Sequence, residues 1–176
     1  MNLSIEEKIG QRFIFGVNSD NIDCIIKLIT GFHIGGVVLY KKNYNSYDEM
    51  LSVIKRLKDA NKNNKIPLFI SIDQEGGKVN RMPKEIHNIK NIYDISMVSK
   101  ELTCDAANIS SEMLSSIGIN MNFAPVLDIY NGSKSKALYK RCFYGNVDDV
   151  SKFGTWYVEC FRNNGIIAVI KHYPGH

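Results

Sequence analysis

Short apolar runs alternate along the chain with longer segments in which apolar residues recur every three or four positions. Apolar runs of this length are typical of strands buried on both faces, and the recurring pattern is typical of helices that pack by one face. The predicted strands cover residues 12–17, 35–40, 67–72, 120–126 and 166–171. The four predicted helices cover 21–29, the segment that follows Ser46, 97–117 and the segment that opens at Asp148 and Asp149.

The order of these elements indicates the fold class. Strands and helices that alternate from end to end predict an α/β fold, in which helical crossovers join parallel strands. A doubly wound sheet and a barrel both fit this pattern. No G-x-G-x-x-G run follows the first strand and there is no Walker loop, so the phosphate-binding motifs of the common nucleotide-binding sheets are missing.

Local signals mark the ends of three predicted helices. Ser46 and Glu49 have the spacing of a capping box, in which each side chain accepts from the other residue's backbone N–H. Gly118 suits the position directly after the helix over 97–117. Asp148 and Asp149 would lie in a first turn, where the helix dipole favours negative charge.

Composition narrows the class of protein. The chain has 176 residues, of which 44% are hydrophobic and 23% are charged, as expected for one globular domain. A complete eight-stranded barrel usually needs about 250 residues, so this chain is short for one. The net charge of +4 is scattered, and nucleic-acid binding is not expected because it prefers a concentrated basic face. The densest basic cluster is Lys134, Lys136, Lys140 and Arg141.

Cysteine usage and the N-terminus suggest a compartment. No two of the four cysteines have the spacing of a zinc or redox motif. Residues 1–10 include acidic side chains and no long apolar run, so neither a signal peptide nor a membrane anchor is expected. A reducing cytoplasm is the simplest prediction.

Polar residues follow the predicted strands, at the carboxyl-terminal ends where parallel α/β folds place their catalytic and binding residues. The run DQEGGKVNR, from Asp73 to Arg81, follows the third strand. Asp128 follows the fourth, without an evident proton-donating partner, and Lys171 and His172 follow the fifth. Carboxylates accept hydrogen bonds from sugar hydroxyls and cations donate to them, so this edge suits a hydroxyl-rich ligand.

Each of these residues also has a purely structural interpretation. Asp73 could cap a turn, and Gly76 with Gly77 could form a turn with positive φ. Arg81 and Arg141 could be surface cations paired with nearby acids, and His172 could be a hydrogen-bonded structural residue. The four-residue spacing of His172 and His176 could suggest a metal site, but Pro174 and Gly175 between them break helical geometry. No metal is expected because no third ligand is evident.

Four motifs taken together are more specific than any single residue. IDQEGGKVNRMP, APVLDI, KRCFYGN and KHYPGH occur in this order. They resemble the successive barrel-loop motifs of glycoside hydrolase family 3, especially the bacterial β-N-acetylhexosaminidases that act on peptidoglycan sugars. The typical forms are DQEGG-x-V-x-R, APV-x-D, R-x-FG and KHFPGHG, and the resemblance covers residues 35–176. Two residues depart from them: Tyr173 replaces a Phe, and Tyr144 is inserted between Phe143 and Gly145.

The resemblance implies that residues 1–176 are the N-terminal portion of a TIM (β/α)8 barrel, a partial family 3 domain truncated at its C-terminus. The expected activity is retaining hydrolysis through a glycosyl-enzyme intermediate, without a cofactor. No catalytic residue is expected in this chain, because the nucleophilic Asp and the acid/base His of a D-S-H motif would follow His176. The residues expected to hold the terminal sugar are Asp73, Arg81, Arg141, Lys171 and His172.

Other functions stay open at this point. The chain could be a non-catalytic carbohydrate-binding or scaffolding module, a β-glucosidase of the same family, or a flavodoxin-like α/β enzyme. The expected partner is a saccharide that contains N-acetylglucosamine, in peptidoglycan recycling. Because five strands leave two edges unpaired, we also expect self-association or association with the missing half of the barrel.

Overall fold

Five parallel strands lie side by side in the order in which they occur along the chain. The computed structural model describes residues 2–130, 132 and 136–176. Neighbouring strands are in register, as in the pairs Ile14 with Gly36 and Gly36 with Phe69. The prediction of five parallel, sequentially ordered strands is confirmed. Their bounds are β1 Ile14–Gly16, β2 Gly36–Leu39, β3 Phe69–Ile72, β4 Met121–Asn122 and β5 Ile167–Ala168.

The described residues form six α-helices, so the prediction of four was wrong. The first additional helix lies near the N-terminus, where Ser4 and Glu7 form a complete capping box. The second results from a break in the helix predicted over 97–117. Ser99 has extended backbone there and caps a new helix by accepting from the N–H of Leu102. The bounds are α1 Ile5–Gly10, α2 Ile22–Phe32, α3 Tyr47–Asn61, α4 Ile92–Val98, α5 Lys100–Ile117 and α6 Val147–Asn163.

The predicted helix ends hold with adjustments. Ser46 accepts from the N–H of Glu49, but the Glu49 carboxylate binds the backbone and side chain of Asn45, so the capping box predicted at Ser46 is only half formed. Gly118 follows α5 with φ of 90°, as predicted. The last helix begins at Val147, one residue earlier than predicted, because Asn146 is its N-cap.

The core lies between the sheet and the helices. Right-handed crossovers between successive parallel neighbours place the connecting helices on one face of the sheet, where α2 contacts α3 and α5 contacts α6. Strand residues such as Val37, Leu39 and Ile70 are at most 1% exposed and pack in one cluster with Ile29 of α2 and Phe161 of α6. No helix among the described residues is long and apolar enough to cross a membrane. Lys134, the first member of the predicted basic cluster, lies outside the described residues.

β1 and β5 are the edge strands of the sheet, and each has one neighbouring strand among the described residues. In the part of the chain that the structure describes, β1 and β5 do not pair with each other. Apolar side chains along or beside these end strands are 37 to 56% exposed, which is unusual for strand residues of a barrel. They are Phe13, Ile14, Phe15, Ile167 and Ile170.

Two amide side chains, of which only that of Asn122 is fully buried, extend the short pairing between β3 and β4. Asn120 accepts from the N–H of Ile70 and donates to the carbonyl of Leu68. Asn122, which is fully buried, accepts from the N–H of Gln74 at 2.9 Å and donates to its carbonyl at 2.9 Å. Each side chain thus takes the place of a strand backbone. Asn122 fixes the first residues of the loop that follows β3.

We expect Asn122→Ala to lower the free energy of unfolding by about 2 to 4 kcal/mol, because it leaves a buried N–H and a buried carbonyl without partners. Urea unfolding followed by circular dichroism measures the change. Asn163→Ala, which removes an exposed amide from the end of α6, is the matched control and should change stability by less than about 0.5 kcal/mol. Equal stability of the two variants would contradict the proposed role of Asn122.

Candidate functional site

The buried carboxylate of Glu75 lies at the carboxyl-terminal ends of the strands. The Glu75 side chain is 4% exposed and follows β3 by three residues. Arg141 binds it with two hydrogen bonds, from Nε to Oε2 at 2.8 Å and from Nη2 to Oε1 at 2.9 Å. Lys171 Nζ lies 2.5 Å from Oε1. One carboxylate therefore joins the loop before α6 to the residue that follows β5.

Lys171 links Glu75 to a second carboxylate, that of Asp73. Its Nζ lies 2.9 Å from Asp73 Oδ1 as well as against Glu75. The Lys171 side chain is 15% exposed and that of Asp73 is 26% exposed, so Asp73 faces solvent while the cation lies below it. We call these four residues the charge network: Asp73, Glu75, Arg141 and Lys171.

Opposing effects set the charge state of Glu75. Burial raises the pKa of its carboxyl, but the hydrogen bonds from Arg141 and Lys171 outweigh burial, and the pKa ends below its ordinary value of 4.5. Glu75 is therefore ionised at neutral pH. Two carboxylates then face two cations, so the network carries no net charge.

A second pair lies beside the network. His172 Nδ1 is 2.6 Å from Asp128 Oδ2, and the backbone N–H groups of His172 and His176 donate to the same carboxylate at 3.1 and 2.7 Å. Burial raises the pKa of Asp128, but these hydrogen bonds hold it below 3.8. An ionised carboxylate can only accept, so Nδ1 carries a proton, and in the neutral ring Nε2 is the free acceptor.

The expectation that Asp128 has no proton-donating partner was therefore wrong. The donor is a histidine 44 residues away. The structural interpretation of His172 is also partly correct, since one of its two ring nitrogens is hydrogen-bonded to Asp128. A cleft of about 490 Å³ opens beside this pair. It is lined by Leu127, Asp128, Ile129, Leu138 and residues 170–176.

Arg81 is the predicted site residue that joins neither group. Its backbone N–H donates to Gln74 Oε1 at 2.8 Å, and its carbonyl accepts from the Tyr44 hydroxyl at 3.0 Å. Its side-chain Nε is buried without a hydrogen-bond partner among the described residues. A buried donor of this kind costs free energy unless it is satisfied.

The structure thus brings four of the five predicted residues together. Asp73, Arg141 and Lys171 meet through the charge network, and His172 lies directly after Lys171. Sequence reasoning missed Glu75 as a site residue, although it stands inside the quoted DQEGG motif. The turn predicted at Gly76 and Gly77 is present, with φ of 87° and 54°.

His172 and His176, whose spacing could suggest a metal site, lie close together. The His172 and His176 rings lie 5.3 Å apart, edge to face. Among the residues that the structure describes, no group of three or more His, Cys, Asp or Glu side chains is arranged to hold a metal ion.

Comparison with known proteins assigns the family. Residues 4–176 match the model of the glycosyl hydrolase family 3 N-terminal domain. The chain belongs to glycoside hydrolase family 3. A curated relative, beta-hexosaminidase A of Pseudoalteromonas piscicida, is 33% identical over 157 residues, which cover 85% of this chain and 26% of the relative. The beta-hexosaminidase of Vibrio cholerae serotype O1 is 30% identical and is matched over 81% of this chain and 42% of its own length.

Solved structures of the family have the same fold. A family 3 beta-N-acetylglucosaminidase from Paenibacillus superimposes with a TM-score of 0.86 at 34% identity, over 99% of this chain and 34% of that one. A beta-N-acetylhexosaminidase from Beutenbergia cavernae gives 0.86 at 27% identity, over 99% and 55%. The family 3 chain thus has the TIM-barrel-like α/β fold of its neighbours, and the doubly wound alternative is excluded. It spans less than half the length of the two curated relatives.

We expect Glu75→Gln to destabilise the protein at neutral pH, because it leaves Arg141 and Lys171 beside a neutral amide. The folded-state pKa of Glu75 lies below 4.5, so its contribution is fully present above that value and is lost as pH falls through the folded-state pKa. Urea unfolding at neutral pH and at pH about 3 measures this.

The difference in stability between wild type and Glu75→Gln should therefore shrink on acidification. Glu112→Gln, on the exposed surface of α5, is the matched control and should behave as the wild type at both pH values. A difference for Glu75→Gln that is independent of pH would show that its carboxylate is not the stabilising group.

Proposed function

We propose that this chain forms the sugar-binding part of a β-N-acetylhexosaminidase that releases N-acetylglucosamine from cell-wall-type saccharides. The observation that carries the proposal is the charge network at the carboxyl edge of the sheet, with the His172–Asp128 pair beside it. Asp73, Arg141 and Lys171 of the network and His172 of the pair are among the residues that the family resemblance assigns to the sugar, and two curated relatives bear the name beta-hexosaminidase.

Asp73 is the first acceptor for the sugar. Lys171 binds its Oδ1, and within the described residues no hydrogen bond is made to its Oδ2. That oxygen can accept from a ring hydroxyl while Lys171 holds the carboxylate in place. A fixed, ionised acceptor gives a stronger hydrogen bond than a mobile neutral one.

Lys171 and His172 offer a further donor and a further acceptor for the sugar bound by Asp73. Lys171 uses two of its three N–H groups on Asp73 and Glu75, which leaves one for a hydroxyl. His172 Nδ1 is bound to Asp128, so Nε2 accepts in the neutral ring. Donors and acceptors at fixed positions match a ligand with several hydroxyls, each of which both donates and accepts.

The same contacts argue that these residues bind the sugar without cleaving it. Retaining hydrolysis needs a nucleophilic carboxylate and a proton donor on either side of the glycosidic bond, about 5 Å apart. Three described carboxylates lie at this edge: Glu75 is buried between two cations, Asp128 is enclosed by His172 and two backbone N–H groups, and the resemblance assigns Asp73 to a sugar hydroxyl. We infer that the nucleophile and the acid/base group are supplied from outside the 176 residues.

Two further parts of the proposal concern context. Four free thiols fit a reducing compartment such as the cytoplasm, which agrees with a role in the recycling of cell-wall sugars. The exposed apolar residues of β1 and β5 fit pairing with further strands, from the rest of a barrel or from a second copy of the chain. A β-glucosidase would use the same hydroxyl contacts, so aryl glucosides belong in every assay.

The 176-residue chain alone should not hydrolyse para-nitrophenyl N-acetyl-β-glucosaminide or the corresponding glucoside. Release of nitrophenolate at neutral pH measures this, and the Vibrio cholerae beta-hexosaminidase assayed in parallel verifies the substrate. Turnover by the chain at the rate of that enzyme would overturn the inference that the catalytic groups lie elsewhere.

Asp73→Asn should weaken the binding of N-acetylglucosamine about tenfold or more, since a hydrogen bond to a charged group contributes about 1.5 to 3 kcal/mol. Ligand-observed NMR titration of the chain measures affinities in the expected weak range. Asp105→Asn, on the exposed face of α5, is the matched control and should bind as the wild type does. Unchanged affinity in Asp73→Asn, or no binding by the wild type, would contradict the proposed sugar site.

A further inference from the structure

Four tyrosines gather where the loop after β4 meets α4. Tyr93 of α4 contacts Tyr130 and Tyr144 edge to face, with ring centroids 6.3 and 5.4 Å apart. Tyr130 contacts Tyr139 in the same manner at 5.8 Å. We call these four residues the tyrosine cluster. Edge-to-face contacts of this length are favourable, so the rings support one another on the surface.

The cluster includes the residue that departs from the family motif. Tyr144 is the insertion between Phe143 and Gly145, and its backbone N–H donates to Ser96 Oγ of α4 at 2.8 Å. Its ring is therefore held against Tyr93. Arg141 keeps both hydrogen bonds to Glu75, so the insertion leaves the charge network intact.

Two of the rings are unusually open for large aromatic side chains. Tyr139 is 42% exposed and Tyr144 is 46% exposed. Tyr130, in contrast, packs on the small buried group of Val126, Leu138 and Cys142. The cluster thus has an anchored inner ring and two outer rings that present apolar surface to solvent. Exposed apolar patches of this kind mark binding surfaces more often than chance.

Two residues of the cluster directly follow residues that line the cleft beside the His172–Asp128 pair. Ile129 and Leu138 line that cleft, and the next residue after each of them is a tyrosine of the cluster, Tyr130 and Tyr139. Tyr139 also stands two residues before Arg141 of the charge network. Lys171 of the network lines the cleft, and Nζ of Lys78, three residues after Glu75, lies 5.2 Å from the centroid of the Tyr139 ring. A ligand that binds the network and is longer than one sugar would therefore have this surface within reach.

Charge at the cluster favours a polar ligand over a purely apolar one. Lys78 Nζ lies 5.2 Å from the centroid of the Tyr139 ring, and Lys140 Nζ lies 5.8 Å from it. Lys140 is paired with Asp94 at 2.9 Å. Lys78 has no carboxylate partner among the described residues and is free to donate to ligand oxygens. Ammonium donors beside an aromatic face suit a sugar ring, which has apolar C–H faces and a rim of hydroxyls.

We propose that the tyrosine cluster is a second contact surface for saccharides, which binds the sugar adjoining the terminal residue through Tyr139 and Tyr144. This rests on the proposed function, since the terminal N-acetylhexosamine must occupy the charge network. The cluster would then add affinity for oligosaccharides and none for the monosaccharide. Tyr144, which departs from the family motif, belongs to this surface.

The experiment compares N-acetylglucosamine with its β-linked trimer, triacetylchitotriose, in NMR titrations of the chain. The wild type should bind the trimer more tightly than the monosaccharide. In Tyr139→Ala and in the double variant Tyr139→Ala with Tyr144→Ala, this preference should fall, by about tenfold in the double variant, which corresponds to about 1.4 kcal/mol. Tyr139→Phe should keep most of it, because the ring face is retained.

Phe32→Ala is the matched control. Phe32 is 65% exposed at the end of α2, which leads into β2 and so lies at the opposite edge of the sheet. Its loss should leave both affinities unchanged. Circular dichroism of each variant verifies folding, and Tyr139→Ala removes only the outermost ring.

The outcomes separate this proposal from the proposed function. Equal affinity of the wild type for monosaccharide and trimer, or a trimer preference that survives in the double variant, overturns the tyrosine surface and leaves the sugar site standing. Loss of monosaccharide binding in the folded Tyr139→Ala variant also overturns it, since the ring would then act on the network. Failure of the wild type to bind either saccharide overturns both proposals.

Discussion

The buried carboxylate of Glu75 is the constraint on which the site depends. An ionised carboxylate that is 4% exposed is stable only when cations and donors replace the water that it has lost. Arg141 and Lys171 do so, and they come from segments 66 residues and nearly 100 residues further along the chain. If either cation pointed elsewhere, the buried carboxylate would keep only one of its two cationic partners. The position of both side chains is thus set by Glu75 and only indirectly by their own loops.

The fold makes this convergence possible. Parallel strands in sequential order bring every strand end to one edge, so residues that directly follow β3, β4 and β5 become neighbours. The side-chain amide of Asn122 then fixes Gln74 by binding both its N–H and its carbonyl. Gln74 in turn accepts from the backbone N–H of Arg81. A chain of hydrogen bonds therefore runs from the core of the sheet to the loop that carries Asp73 and Glu75.

Sequence reasoning could identify elements with a strong repeating pattern but not their interruptions. The strands and the long helices follow from their apolar residues. Ser99 could not be recognised as a break, because apolar residues continue at helical spacing across it from Met97 to Leu102. Helix α1 is only six residues long, and its capping box at Ser4 was the available signal.

The site shows the same limit at the level of side chains. The motifs located Asp73, Arg141, Lys171 and His172 at one edge because each directly follows a strand or stands in a recognised run. The partners of Glu75 and Asp128 could not be read from spacing, since each contact joins residues at least 44 apart. Which carboxylate is free for a ligand, and which is committed to the protein, is decided only by three-dimensional contacts.

The charge network and the tyrosine cluster are held together by different interactions. The charge network is buried, neutral overall and fixed by ionic hydrogen bonds, so a change in any member disturbs the others. The tyrosine cluster is exposed and is held by ring contacts and one backbone hydrogen bond, so its outer members can vary at little cost to the fold. A substitution in the network would therefore disturb the site and the fold together. A substitution on the exposed rim, where the inserted Tyr144 lies, would leave the ion pairs of the network in place.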